Sequence, residues 1–198
     1  MTELLTTPLS HRFHRALERS YQVHLRQARK GSQVPYISHL LAVTAIVLEH
    51  GGGEEAAIAA LLHDAVEDQG GEAMLEAIRT EFGDSVAGIV AECSDTRETP
   101  KPPWRPRKEK YLEHLRGASR DAALVAAADR LHNLRSQARD LEEGHENAWT
   151  KFNAPKEDQL WLYGAFLERL RERGDLPASL LGEIQAVVAQ IARRAAAG

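Results

Sequence analysis

The chain has 198 residues, enough for one domain of ordinary size but too few for two large ones. Its 25 Lys and Arg against 29 Asp and Glu give a net charge of −4, which argues against a dedicated nucleic-acid-binding protein. A mixture of 43% hydrophobic and 27% charged residues is typical of a globular domain rather than of a disordered chain. The single cysteine, Cys93, excludes an intrachain disulfide and a cysteine-rich zinc site.

Targeting and membrane segments are not predicted. The longest wholly apolar runs, such as 56–62, have seven residues, far short of the ~20 that cross a bilayer. The first residues of the chain lack the basic region and the continuous apolar stretch of a signal peptide. We therefore expect a cytoplasmic protein with no membrane partner.

Helical periodicity dominates the chain. Apolar residues recur with the 3.6-residue period of an α-helix over 37–48 and again over 124–138. The glycines Gly51–Gly53 predict the end of one helix, Ser119 is a predicted helix cap, and Asp175–Pro177 precedes a last helix. The sequence thus predicts a single all-α domain, 1–198, of roughly nine or ten helices.

A proline-rich stretch, Thr96–Pro106, interrupts this pattern. It holds four of the eight prolines, and Trp104 lies among basic residues there. Proline lacks the backbone donor and restricts the residue before it, so the whole stretch is predicted to be a loop. Loops that carry aromatic and basic side chains often carry function, and the alternative is a plain surface connector.

The densest group of chemically active side chains comes earlier, in one apolar segment holding His63, Asp64, Glu67 and Asp68. On one continuous helix, Glu67 lies one turn after His63, and Asp68 lies one turn after Asp64. Burying these groups unpaired is costly, and a divalent ion such as Mn²⁺, Fe²⁺ or Zn²⁺ would remove that cost. The alternative is a helix end that simply meets solvent at Gly70.

Two other predicted helices carry side chains that such a site would still need. His39 lies at the opening of an apolar helix, and Asp129 follows seven apolar residues, with Asn133 one turn later on the same face. Two nitrogens and two carboxylates would thus be available to one ion, from His39, His63, Asp64 and Asp129. The alternatives are a capping or core histidine at 39 and a surface Asp–Arg pair at 129.

The order His…His-Asp…Asp resembles the pattern of the HD phosphohydrolase superfamily. Four ordered motifs are similar to the hydrolase domain of the RelA/SpoT proteins: HLRQARK at 24–30, PYISH at 35–39, ALLHDAVED at 60–68 and ADRLHNLR at 128–135. The similarity covers about residues 21–139, and a stand-alone chain of this length resembles the small alarmone hydrolases, the Mesh1-like group. It implies an HD-domain helical bundle onto which C-terminal helices, 155–198, pack.

This resemblance also implies roles for the matching residues. One Mn²⁺ ion per chain is implied to bind His39, His63, Asp64 and Asp129. The pair implied to orient or activate the attacking water is Glu67 and Asp68. The positions that hold the nucleotide are matched by Arg29, Lys30 and Asn133. Further phosphates are expected to contact the basic stretch, at Arg97, Lys101, Arg105, Arg107 and Lys108, with a solvated basic loop as the alternative.

The implied activity is hydrolysis of the 3′-pyrophosphate of (p)ppGpp, or of an adenosine analogue, with release of pyrophosphate. The expected partner is a small-molecule nucleotide, neither nucleic acid nor membrane is expected, and the sequence is compatible with a homo-oligomer. One alternative is another HD enzyme, a 5′-nucleotidase or a phosphodiesterase, against which Arg29-Lys30 and Glu67-Asp68 argue. A second alternative is a catalytically silent nucleotide-binding sensor.

Aromatic residues toward the C-terminus are interpreted as structural. Trp149 and Phe152 lie in a connection between helices, where an aromatic pair more often belongs to the core than flanks a purine. Trp161 and Tyr163 lie on an apolar helix and are predicted to pack against the rest of the domain.

Overall fold

A computed structural model describes residues 9–96, 102–145, 147–152 and 154–197, apart from the side chains of residues 68, 69 and 197. These residues form ten α-helices and no β-strand, which confirms the expected all-α fold. The helices are α1 His11–Val23, α2 Ile37–Glu49, α3 Glu54–Leu62, α4 Ala65–Gln69, α5 Gly71–Phe82, α6 Asp84–Cys93, α7 Trp104–Gly117, α8 Arg120–Glu142, α9 Lys156–Arg173 and α10 Ala178–Ala197.

The central helix of the bundle is α3. All residues of its apolar run, Ala56–Leu62, are buried, and the helix contacts α1, α2, α6 and α8. A helix that is apolar on every face needs neighbours on every face, and its four alanines let those neighbours approach closely. The run Ala122–Ala128 in α8 is buried in the same way. Within the described residues, no helix combines the length and the apolar character needed to cross a membrane.

Local sequence signals place several helix boundaries as predicted. Ser119 is the N-cap of α8, and its hydroxyl oxygen accepts a hydrogen bond from the Ala122 backbone N–H. The predicted glycine turn separates α2 from α3. A Cβ atom at Gly52 would lie 2.9 Å from the carbonyl oxygen of Val47 and would overlap its side chain, so glycine is required for this close approach.

The expectation of one continuous helix over residues 60–68 is wrong. Helix α3 ends at Leu62 and α4 begins at Ala65, so His63 and Asp64 lie in a break between two helices. The His63 side chain contributes to this break, because its Nδ1 donates a hydrogen bond to the Ala60 carbonyl oxygen at 2.8 Å. Glu67 therefore follows His63 across a helix junction rather than along one helix face.

The predicted loop over the proline-rich stretch extends too far toward the C-terminus. Helix α7 begins at Trp104, so Arg105 and Pro106 belong to its first turn. Proline is tolerated there because the first backbone N–H groups of a helix have no partner within the helix. Residues 97–101 lie outside the described part of the chain.

Candidate metal and nucleotide site

Four side chains from three parts of the bundle meet in one cluster, and three of them line a cavity. His39 lies in the first turn of α2, Asp129 lies within α8, and His63 and Asp64 occupy the break between α3 and α4. His39 Nε2 is 3.2 Å from Asp129 Oδ1 and 3.4 Å from Asp64 Oδ2. His63 Nε2 is 3.1 Å from Asp64 Oδ2 and 3.8 Å from Asp129 Oδ1. The fold thus brings together the four side chains that the sequence suggested as ligands.

The spacing of these atoms fits one divalent ion. Ligand atoms about 2.1 Å from an ion lie roughly 3 to 3.5 Å from one another in tetrahedral or octahedral geometry. His63 Nε2 is buried and has no hydrogen-bond partner among the described residues, since its contact with Asp64 lacks hydrogen-bond geometry. One ligand atom from each of His39, His63 and Asp129 lies within 4.8 Å of the other two. The cluster is therefore compatible with a divalent metal ion.

The histidines and aspartates of the cluster shift one another's pKa values strongly. Burial alone would lower the pKa of His63, but the carboxylates of Asp64 and Asp129 outweigh it and raise that pKa well above its usual range. Burial alone would raise the pKa of both carboxyl groups, but His39 and His63 hold the two pKa values well below their usual range. Without an ion, the carboxylates stay ionised and His63 carries a compensating proton.

Each histidine of the cluster is oriented through its second ring nitrogen. His63 Nδ1 donates to the Ala60 carbonyl, which leaves Nε2 directed at the carboxylates. His39 Nδ1 is 2.7 Å from His132 Nδ1, and one of these two nitrogens must donate to the other. Burial and the neighbouring His39 lower the pKa of His132 to about 4, so His132 is neutral at pH 7.

The carboxylates are oriented by a second set of polar side chains. The Tyr36 hydroxyl donates to Asp64 Oδ2 at 2.5 Å, and the Asn133 amide donates to Asp129 Oδ1 at 2.6 Å. Arg29 in turn donates to Asn133 Oδ1 at 2.6 Å, and its guanidinium carbon lies 5.6 Å from the centre of the Tyr36 ring. These contacts link Arg29 to both carboxylates of the cluster through one side chain each.

A cavity of about 1410 Å³ opens above the cluster. His39, Asp64 and Asp129 line its inner end. Its walls come from the turn at 27–34, from α8 and from the connection between α8 and α9. Basic side chains from these segments also line it, namely Arg29, Lys30, Arg139 and Lys151. Lys151 is paired with Asp140, which also lines the cavity. An acidic end beside walls that carry Arg29, Lys30 and Arg139 suits a ligand that has several phosphates and contacts a cation.

Arg29 reaches this cavity from outside the helices, since α1 ends at Val23. Arg29 lies instead in a tight turn closed by a backbone bridge between Ala28 and Pro35. The Arg29 backbone N–H donates to the Val34 carbonyl at 2.8 Å, which fixes the base of this turn.

Glu67 lies in α4, directly after the cluster, and is held by the segment that follows α6. Its Oε1 accepts a hydrogen bond from the Asp95 backbone N–H at 2.6 Å. The Asp95 carboxylate is paired with Arg107 and accepts from Lys108 Nζ at 2.7 Å. Burial, followed by repulsion from Arg130 and Arg107, lowers the pKa of Lys108 to about 7. The Asp68 side chain lies outside the described part of the structure.

Three of the basic residues expected to bind further phosphates are described by the structure, and none of the three, Arg105, Arg107 and Lys108, lines this cavity. Arg107 is paired with Asp95 and lines a separate cavity of about 540 Å³. Arg105 is paired with Glu109 at 2.9 Å and with Asp158 at 3.0 Å, and its guanidinium carbon is 3.3 Å from the centre of the Trp161 ring. The remaining expected contacts of this stretch, Arg97 and Lys101, lie outside the described residues.

A comparison with protein-family models assigns the chain. Residues 16–154, which make up more than half of the sequence, match the model described as the HD domain. The chain belongs to the HD-domain family. The resemblance noted from its four ordered motifs is thereby confirmed.

Several relatives of this HD-domain protein are known. A Xenopus tropicalis protein named guanosine-3′,5′-bis(diphosphate) 3′-pyrophosphohydrolase MESH1 is 41% identical over 124 residues, covering 61% of this chain and 66% of that protein. A Drosophila melanogaster protein of the same name is 33% identical over 150 residues, covering 74% and 79%. A solved structure of a metazoan ortholog of SpoT, described as hydrolysing ppGpp, has a TM-score of 0.74 at 27% identity, covering 94% and 98%. The chain thus spans just under two thirds of the frog relative.

Three residues that shape this HD-domain site were not predicted from the sequence, namely Tyr36, His132 and His24. Tyr36 and His132 contact the cluster directly, as described above. The ring of His24 stacks on the ring of Tyr36, with 4.9 Å between their centres, and His24 Nδ1 is 2.7 Å from Gln27 Oε1. All three lie inside the motifs that carried the family resemblance, which was the available signal. Their contacts depend on the packing of distant segments, so spacing alone did not identify them.

The two aromatic residues of the α8–α9 connection have different environments. Trp149 packs against the hydrophobic core, as predicted. Phe152 lines the cavity beside Lys151 instead. An aromatic ring is thereby available to a planar group bound in the cavity.

Proposed function

We propose that this HD-domain protein is a metal-dependent 3′-pyrophosphohydrolase of (p)ppGpp-type alarmones that releases pyrophosphate from a guanosine or adenosine nucleotide. The observation that carries the proposal is the cluster of two histidines and two aspartates at the inner end of a cavity with basic walls. The names of the relatives from frog and fly support the same substrate class.

We propose Mn²⁺ as the resident ion, one per chain, held by the four residues of the cluster. Equal numbers of imidazole and carboxylate groups suit a borderline divalent ion, and Fe²⁺ and Zn²⁺ share this preference. When bound, such an ion supplies Lewis-acid activation of water and of a phosphoryl oxygen. Tyr36 and Asn133 keep the two carboxylates oriented, and Ala60 and His132 keep the two imidazoles oriented.

Proton transfer is assigned to Glu67, with Asp68 as the residue that positions it. Glu67 is outside the ligand set but lies three residues after Asp64, across the helix junction. The hydrogen bond from the Asp95 backbone N–H fixes Oε1 of the Glu67 carboxylate. A carboxylate held in this way can accept a proton from the attacking water. Catalysis by such a site is mostly positioning and charge stabilisation.

The nucleotide is assigned to the walls of the cavity. We assign Arg29 and Asn133 to the nucleoside, and the support is that both line the cavity and that Asn133 also contacts Asp129. Lys30 is assigned to phosphate, where a compact ammonium neutralises charge. We leave Arg105 and Arg107 out of the proposed site, because their guanidinium groups are paired with carboxylates away from this cavity.

A product analysis tests the proposed activity. The metal-loaded protein would be incubated with ppGpp, ppApp, a nucleoside 5′-monophosphate and a cyclic dinucleotide, and the products resolved by anion-exchange chromatography. We expect pyrophosphate and the matching nucleoside 5′-diphosphate from the alarmones alone. Hydrolysis of the 5′-monophosphate or of the cyclic dinucleotide instead would assign the protein to another HD activity. Tight alarmone binding without any product, with Mn²⁺ supplied, would indicate a sensor.

Replacing Arg29 with alanine is expected to raise KM more than it lowers kcat. Contact with the nucleoside is felt in the ground state and in the transition state alike, so its loss is mainly a loss of binding. The expected loss is about 1–2 kcal/mol. Steady-state kinetics on both purine alarmones would measure it, with Arg26→Ala as the control because Arg26 is exposed in the same segment. Loss of the metal, or an unchanged KM for both purines, would make Arg29 a structural residue.

Metal affinity is expected to rise with pH. His63 has a raised pKa in the folded protein, so the ion must displace its proton at any pH below that value. For one proton, the apparent affinity should increase about tenfold per pH unit and level off above the raised pKa. The raised pKa of His63 also stabilises the metal-free protein against unfolding. This stabilisation is complete at pH values below the pKa of an unfolded histidine, and it is lost as the pH rises through the pKa of His63 in the folded protein.

Calorimetric titrations with Mn²⁺ in two buffers of different ionisation enthalpy would count the protons released at each pH. We expect about one proton per ion near pH 7 and fewer at higher pH. An affinity and a proton count that do not change between pH 6 and 9 would contradict the assignment of His63 as a proton-bearing ligand.

A further inference from the structure

Buried polar side chains lie beneath the connection between α8 and α9, which forms one wall of the cavity. Gln137 of α8 and Gln159 of α9 are 0% and 2% exposed, and Tyr163 of α9 is also buried. Uncharged amides this deep in a helical core require hydrogen-bond partners. The partners are backbone groups of the connection itself, whose cavity-lining members are Gly144, His145, Asn147, Lys151 and Phe152.

Gln159 binds the connection at several points. Its Nε2 is within hydrogen-bond distance of three backbone carbonyl oxygens, at 2.7 Å from Ala154, 2.8 Å from Trp149 and 3.3 Å from Phe152. Gln137 Nε2 donates to a fourth carbonyl, that of Ala148, at 3.2 Å. Two side-chain amides thus lie within hydrogen-bond distance of four carbonyl oxygens of the connection, whose described residues form no regular helix or strand.

The orientation of both amides is fixed by the remaining contacts. Gln137 Nε2 also donates to Gln159 Oε1 at 2.9 Å. The Tyr163 hydroxyl donates to Gln137 Oε1 at 2.5 Å and lies 3.2 Å from Gln159 Oε1. Burial raises the pKa of Tyr163 to about 12, so this hydroxyl remains a donor at neutral pH. A flipped Gln159 amide would place its oxygen against three carbonyl oxygens, which the geometry forbids.

The connection between α8 and α9 also contacts the turn at 27–34, which carries Arg29. Asn147 Nδ2 lies 3.0 Å from the position that a Cβ atom at Gly31 would occupy, so the connection and the 27–34 turn are in contact. Gly31 has a φ of +76°, which allows the turn to pass close to Asn147. A shift of the connection would therefore move the cavity wall that contacts the Arg29 turn.

We propose that Gln159, together with Gln137 and Tyr163, is a positioning residue that fixes segment 147–152 as the substrate-binding wall of the cavity. The inference rests on the proposed alarmone hydrolase function for the identity of the ligand. Gln159 does not touch the cavity itself, and it acts through the backbone carbonyls of Trp149, Phe152 and Ala154.

The test is the substitution Gln159→Glu in the full-length, metal-loaded protein. The carboxylate keeps the shape of the side chain but replaces a double donor by an acceptor facing three carbonyl oxygens. We expect KM for ppGpp to rise at least tenfold while kcat stays within twofold. Hydrogen exchange should accelerate for the backbone amides of 147–152 and stay unchanged in α2 and α3, where the metal cluster is held.

Two further variants separate positioning from general stability. Gln159→Met removes the donor without adding charge, and it should give the same split between KM and kcat. Val86→Ala truncates a fully buried side chain of α6 and should lower the melting temperature without raising KM. An unchanged KM with unchanged exchange in 147–152 in both Gln159 variants would overturn the proposal. If the unmodified protein does not hydrolyse ppGpp, the proposed function fails, and exchange in 147–152 still decides the role of Gln159.

Discussion

Replacing Asp64 with alanine should abolish metal retention and alarmone hydrolysis together. Asp64 Oδ2 lies 3.4 Å from His39 Nε2 and 3.1 Å from His63 Nε2, so it contacts both imidazoles of the cluster. Its removal takes away one of the two carboxylate ligands. It also removes one of the two carboxylates that raise the pKa of His63. We expect the protein to stay folded, because losing Asp64 lowers the pKa of His63, whose ring can then become neutral instead of remaining an unpaired buried charge.

The measurement is the metal content of dialysed protein, together with the hydrolysis rate under saturating ppGpp. We expect less than about a tenth of an ion per chain and a loss of activity of about four orders of magnitude or more. Asp84→Ala is the matched control, since Asp84 is an exposed carboxylate paired with Arg79 and remote from the cluster in the chain. A full complement of metal in the Asp64 variant would rule out the four-ligand assignment.

Replacing Glu67 with glutamine should leave the metal in place and remove turnover. Glutamine retains an oxygen that can accept the hydrogen bond from the Asp95 backbone N–H, so the side chain should keep its position. It lacks only the basic carboxylate, and loss of a general base typically costs about two to four orders of magnitude in kcat. KM should change little, because Glu67 is not assigned to the nucleotide.

Metal analysis and single-turnover kinetics on the Glu67→Gln protein would check this result. Glu76→Gln is the control, because Glu76 is an exposed glutamate of α5 whose partner is Arg79. If kcat is unchanged while the metal is present, the proton-transfer role belongs to Asp68 or to no side chain of this pair. Loss of the metal would instead place Glu67 among the ligands.

Much of the helical framework could be predicted because it depends on local signals. The apolar run 56–62 has no polar face, so it had to be surrounded, and it forms the central helix. Ser119 and the glycines after α2 act on backbone groups only a few positions away in the chain, so their effects follow from the local sequence. His39, His63, Asp64 and Asp129 were identified by pairing residue chemistry with a family pattern, and the fold brings them within a few ångströms.

Other features depend on contacts between distant segments. Histidine and aspartate are both compatible with a helix, so the break at 63–64 could not be read from residue type. Arg105 was interpreted as a phosphate ligand from its basic surroundings, but its partner Asp158 is 53 positions away in the chain. Tyr36 likewise gains its role from a hydrogen bond to Asp64, which only the tertiary structure reveals.

A crystal structure of the Glu67→Gln protein with Mn²⁺ and ppGpp bound would test the proposed site most directly. We expect one ion held by His39, His63, Asp64 and Asp129, with the 3′-pyrophosphate next to it and the guanosine against Arg29. A nucleotide whose 5′-phosphates face the cluster, or an ion held elsewhere in the chain, would contradict the proposed site.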